Sequence, residues 1–166
     1  MGTWEFVATP GGWVAHLDRA ERAALLDVVD DVLELLADRG PVPGGAGYQS
    51  LAGLDLNLEE GPVVPPADPA LRRLLPDASH AYPDVAAEFR RYTEGELRSA
   101  KAENLTVLGR MLAAGGRGVR LDPRDAPAVA AALTDLRLVL AERLGIRTEA
   151  DADAAYRLVV AGGPPD

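Results

Sequence analysis

The chain has no cysteine, so disulfides, thiolate metal sites and thiol redox switching are all excluded. Histidine is nearly as scarce. His16 and His80 fall in different segments, and no His-x-x-x-His or Glu-x-x-His spacing occurs, so a metal site has no scaffold and no cofactor is expected. Serine is limited to Ser50, Ser79 and Ser99, and no Gly-x-Ser-x-Gly elbow is present. Ser79 and His80 are adjacent, a spacing that rarely lets a base reach a nucleophile; they read as a polar turn between helices. His16 reads as a solvent-facing strand residue. Lys101 is the only lysine, and net charge is −9, a sign that repels a phosphate backbone and argues against direct nucleic-acid binding. No apolar run reaches the ~18 residues of a membrane span, and MGTWEFVATP lacks the basic start and apolar stretch of a signal peptide. A cytoplasmic location is the expectation.

What remains is ordinary soluble-protein composition, 48% hydrophobic and 26% charged over 166 residues, enough for one domain with a core of its own. Residues 3–17 alternate like a hairpin: Trp4 and Phe6 share one face of the first strand, Trp13, Ala15 and Leu17 fall together on the second, and Thr9-Pro10-Gly11-Gly12 supplies the turn. An isolated hairpin is marginal in water, so its tryptophan face should lie on helices. Asp18 with Glu21 three residues on predicts a capped helix running to Arg39. Leu25, Val28, Val29, Val32, Leu33 and Leu36 form one side of it. Asp27, Asp30, Asp31, Glu34 and Asp38 form the other, at i, i+3, i+4, i+7 and i+11.

Residues 40–67 are rich in glycine and proline and read as a flexible connector; GGAG there lacks the Gly-Lys-Ser/Thr of a phosphate loop. Asp68-Pro69 opens a short helix carrying Leu71, Leu74 and Leu75. A long helix follows over 83–114, with a further helix over 123–144 opened by Asp122-Pro123, and a last one over 149–161. Val119-Arg120-Leu121 offers the hairpin a third strand, and 162–166 reads as a disordered tail. The fold expected is mainly α: a single-domain bundle of four or five helices with a small N-terminal β-hairpin.

The long helix is the most informative segment. At about 100° per residue, Val85, Phe89, Leu97, Ala100, Val107, Leu108 and Met111 share one sector, and Thr93, Glu96 and Asn104 fall within it, with Lys101 on its margin. On the 123–144 helix the expected core face is Val129, Leu133, Leu136 and Leu140, with Arg143 in the same sector. Polar groups on a face that buries need partners. Antiparallel packing would bring Arg143 toward Glu88 or Glu96 and Asn104 toward the middle of its neighbour. Two outcomes stay open: an internal network that fixes helix register, or a polar pocket for a ligand. An acid-base pair of Glu96 and Lys101 would be the catalytic version of the second.

DPALRRLLPDA (68–78), EFRRYTEGELRSAKAEN (88–104) and DLRLVLAERLGI (135–146) resemble a mainly helical actinobacterial family of unknown function, often encoded beside the ClpS protease adaptor. The likeness covers nearly the whole chain. It implies no enzyme activity, and a regulatory role through protein contacts, with transcriptional control under oxidative stress for cysteine-bearing relatives. This chain, without cysteine, departs from that redox role. Arg91, Thr93, Arg98, Lys101, Asn104, Asp135 and Arg143 match the family's polar positions, and the resemblance gives them no role.

The expectation is therefore a non-enzymatic regulatory or adaptor protein that binds another protein, with a homodimer left open through Leu138 and Val139. The alternative is a small-molecule-binding or enzymatic domain with a polar pocket between the two long helices. The candidate site residues are the polar cluster Arg91, Thr93, Glu96, Arg98, Lys101, Asn104, Asp135 and Arg143, and the acidic docking face Asp27, Asp30, Asp31, Glu34 and Asp38.

Overall fold

A computed structural model describes residues 5–38, 64–79, 81–114 and 118–161, with residues 159–161 as backbone only. Its elements run β1 (Val7–Thr9), β2 (Gly12–Ala15), α1 (Arg19–Ala37), α2 (Pro69–Leu74), α3 (Pro83–Ala113), β3 (Val119–Leu121), α4 (Ala126–Arg143) and α5 (Glu149–Ala161). The mainly helical architecture and the N-terminal hairpin are as expected. Trp4, most of the 40–67 connector, His80 and the 162–166 tail lie outside the described residues.

The strands form an antiparallel sheet in the order β1-β2-β3. Val7 faces Val14 and Thr9 faces Gly12, so the turn holds Pro10 and Gly11, and the Thr9 hydroxyl donates to the Gly12 carbonyl at 3.1 Å. Gly12 has φ +128°, and a Cβ there would stand 2.2 Å from the Leu121 carbonyl oxygen, so only glycine lets β3 close on β2. Trp13 pairs with Leu121 and Ala15 with Val119. Trp13, Val119 and Leu121, with Leu17, join the sheet to the helical core; His16 is on the outside.

Local signals set most helix starts. The Asp18 carboxylate accepts from the Glu21 amide and the Glu21 carboxylate from the Asp18 amide, both at 2.8 Å. Asp68 Oδ1 accepts from the Ala70 and Leu71 amides at 2.7 and 3.2 Å, with Pro69 at the first helical position. Thr148 and Asp151 make a reciprocal pair of bonds that opens α5. The α4 start departs from expectation. Asp122 and Pro123 begin a turn, with the Asp125 amide donating to the Asp122 carbonyl, and the helix proper starts at Ala126. Asp122 is engaged by Arg124, whose guanidinium and amide both donate to its carboxylate and bring its pKa down to about 2.

Packing is built on α3, which lies against α4 and α1, while α2 lies against α4. Leu74, Leu75, Leu105, Leu108, Val29, Val32 and Val129 are the largest side chains fully enclosed. On α1 the inward side is as expected, with Val29, Val32 and Leu36 buried.

On α3 the observed inner face differs from the expected one. The buried line is Ala86, Arg90, Leu105, Leu108 and Leu112. Val85 is 59% and Phe89 54% exposed, and Glu96, Leu97 and Ala100 are also on the outer side. The helix is turned by roughly one residue's rotation from the expected face. Arginine at position 90 and alanine at 86 lower the apparent hydrophobicity of the side that does bury. On α4 a similar correction applies: Ala132, Asp135 and Val139 join Val129 and Leu136 inside, while Leu133 and Leu140 sit at the boundary. Val139 is thus buried and Leu138 is half-buried against the core.

Candidate functional site

The buried side of α3 carries a chain of charges. Arg90, only 5% exposed, donates through Nη2 to Asp77 Oδ1 at 2.6 Å and to the Leu75 carbonyl at 3.2 Å, and through Nη1 to Glu94 Oε2 at 2.7 Å. Burial works against its charge, but the hydrogen bonds to Asp77 and Glu94 outweigh it and raise its pKa above the ordinary value. The other Glu94 oxygen accepts from Arg98 Nε at 2.8 Å. Arg98 Nη1 then donates to the carbonyls of Leu36 at 2.6 Å and Asp38 at 3.1 Å. A guanidinium on the last carbonyls of a helix satisfies orphan acceptors and complements the helix dipole. The run Asp77–Arg90–Glu94–Arg98 therefore fastens the residues after α2, the middle of α3 and the end of α1 to one another.

One turn further along α3, Lys101 Nζ donates to Asp135 Oδ1 on α4 at 2.7 Å. Asp135 is 4% exposed, and its partner comes from a helix 34 residues away in sequence. Asn104 is half-buried about a turn beyond Lys101.

The remaining members of the predicted polar cluster are elsewhere. Arg91 is on the outside, paired with Glu88 at 2.7 Å and lying over the Tyr92 ring at 5.0 Å to its centroid. The Thr93 hydroxyl donates back to the Phe89 carbonyl at 2.9 Å. Glu96 is exposed, and Lys101 is bonded to Asp135 rather than to it. Arg143 meets neither Glu88 nor Glu96. Its Nη2 donates to Asp68 Oδ2 at 2.7 Å, joining the end of α4 to the cap of α2. For Asp68, burial acts to raise the pKa, but Arg143 and the Leu71 and Ala70 amides prevail and hold it below the ordinary carboxylate value. Alongside, Arg73 and Arg147 both approach Glu142, at 3.0 and 3.7 Å.

Sequence reasoning missed Arg90, Glu94 and Asp77. Arg90 could have been found from α2: the chain turns back between Leu75 and Pro83, leaving a carbonyl and an Asp77 carboxylate that need a donor from α3. Glu94 had a local signal, being four residues from both Arg90 and Arg98.

Arg90 Nε is a buried side-chain nitrogen with no protein partner among the described residues, and Arg90 also lines a hollow of about 30 Å³ with Leu75, Phe89, Thr93 and Leu97. That volume admits a water, whereas ligand pockets run from roughly 300 Å³ upward. A larger space, about 480 Å³, opens between α1 and α4. Its floor is Val28, Val32, Leu35, Val139 and Leu140, and Asp31, Glu34, Asp38 and Arg143 stand around it. All five residues of the acidic face, Asp27, Asp30, Asp31, Glu34 and Asp38, are exposed, as expected. No group of three or more potential metal ligands occurs among the described residues, and no described helix is long and apolar enough to cross a membrane.

A family model, described as a domain of unknown function (DUF2017), matches residues 1–166. The chain belongs to this family. Neither the curated proteins nor the solved structures gave a match. The DUF2017 match thus covers every segment that carries the charge network and the acidic face, and it brings no activity with it.

Proposed function

We propose that this member of the DUF2017 family is a non-enzymatic, cytoplasmic regulatory or adaptor protein that acts by binding another protein. The observation that carries the reading is where the buried charges end. Arg90, Glu94 and Arg98 close on one another and on backbone carbonyls, and Lys101 closes on Asp135. Groups engaged in this way tie helices together rather than meet a substrate. Asp27, Asp30, Asp31 and Glu34 form an outward acidic side of α1, at exposed positions on successive turns. Like charges at i, i+4 cost a few tenths of a kcal/mol each in an isolated helix. A partner that neutralises them gives that cost a purpose. The resemblance to an actinobacterial family encoded beside the ClpS adaptor supports a regulatory setting, including transcriptional or stress control through protein contacts.

The test is capture of tagged full-length chain from its native host after mild chemical crosslinking, followed by quantitative mass spectrometry. A single protein recovered in near-stoichiometric amount is expected. Recovery of the chain alone, across growth and stress conditions, contradicts the proposal.

A further inference from the structure

We infer that the groove between α1 and the C-terminal half of α4 receives a basic amphipathic helix from a partner protein. This rests on the partner-binding reading above and names the surface and the chemistry it fits. The space is apolar at its base, where Val28, Val32 and Leu35 of α1 face Val139 and Leu140 of α4. From Val28 to Asp38 it follows ten residues of α1, about 15 Å at 1.5 Å per residue, the length of three helical turns.

Charge selects the occupant. Asp31 and Glu34 stand along the α1 wall. Among the described residues the one cation lining the groove is Arg143, and its guanidinium is already held by Asp68 at 2.7 Å. The field over the groove is therefore negative, and it favours lysine or arginine on one flank of the ligand with branched or aromatic side chains beneath. A second copy of this chain is disfavoured by the same charge: each carries −9 overall and an α1 of the same sign.

Geometry selects a helix over an extended peptide. Both walls are helices, whose backbone hydrogen bonds are internal, so an added strand would find no ladder to join. A helix can lay an apolar face into the trough while its own backbone stays satisfied.

The test uses full-length protein and a fluorescent, end-capped peptide of leucine, lysine and alanine, with leucines at i, i+3, i+4 and i+7. An isomer of equal composition, with the leucines spread around the helix, is the control. At physiological salt the ordered peptide should bind at least about tenfold more tightly, as expected for a seated apolar anchor. Leu140→Asp, and separately Asp31→Lys with Glu34→Lys, should each weaken it by about tenfold with circular dichroism unchanged. Amide exchange at 28–38 and 139–143 should slow further when the ordered peptide binds, and not with the scrambled isomer. Equal affinity for the two peptides, or indifference to Leu140→Asp, would mean a merely acidic surface and overturn the inference. A free protein that sediments as a dimer, and as a monomer after Leu140→Asp, would mean that a second copy already fills the groove, which overturns the inference equally. If the host partner is captured equally by wild type and both variants, the groove assignment falls while the partner-binding reading stands.

Discussion

Lys101 and Asp135 meet at 2.7 Å across the contact of α3 with α4, with the lysine side chain 18% and the aspartate 6% exposed. A pair so placed fixes which turn of one helix faces which turn of the other. It contributes less to stability than its short distance suggests, because both charges lose most of their hydration.

That view separates single from double replacement. Asp135→Leu leaves the lysine ammonium beside apolar neighbours and should destabilise by about 3–5 kcal/mol. Lys101→Met together with Asp135→Leu should return to within about 1 kcal/mol of wild type, because no charge is then left unpaired. Urea unfolding of the two singles and the double gives the coupling directly. A double variant as unstable as Asp135→Leu alone would mean that the pair is a net source of stability.

The rotation of α3 gives a second contrast. Phe89 and Leu108 both fall in the sector expected to bury, yet Phe89 is 54% exposed and Leu108 enclosed. Phe89→Ser should shift stability by no more than about 0.5 kcal/mol. Leu108→Ala should cost about 2–5 kcal/mol. Denaturant midpoints decide it, and similar losses for both would restore the face read from periodicity.

Asp68 carries a pH dependence. Its carboxyl is held below its usual pKa in the folded chain, so its contribution is complete above the unfolded value of about 4 and is lost as pH falls through the folded one. Asp68→Asn keeps an acceptor for the Ala70 and Leu71 amides but gives up the charge facing Arg143. Its stability deficit should be constant above pH ~5 and shrink below ~4. Asp68→Ala, which loses the cap as well, should cost about 1 kcal/mol more. Unfolding curves from pH ~3 to ~7 measure both across that window; a deficit that grows on acidification would rule out the assignment.

Much of this molecule is legible where the signal is local. Asp18 with Glu21, Asp68 with Pro69, and the turn Pro10-Gly11 each act within a few residues, and each element begins or turns there. The third strand and the acidic side of α1 are equally open to reading. The facing of α3 is not, because Val85 and Phe89 are more apolar than Ala86 and Arg90, which occupy the buried line. Only the chain end after α2, with its carbonyl and Asp77, makes arginine the better inward residue at 90. The partners of Lys101 and Arg143 are 34 and 75 residues away, and nothing in spacing or composition selects them. Helical spacing marks the polar residues of α3 as a group, but which of them join depends on packing.

If the buried charges hold the helices while recognition takes place on the outer side of α1, the two roles separate by mutation. The decisive measurement is quantitative capture from the host, comparing the Lys101→Met, Asp135→Leu double variant with the Asp31→Lys, Glu34→Lys double variant. The internal replacement should retain the partner at wild-type level, and the outer charge reversal should lose it. A folded internal variant that drops the partner while the outer one keeps it would refute this division of roles.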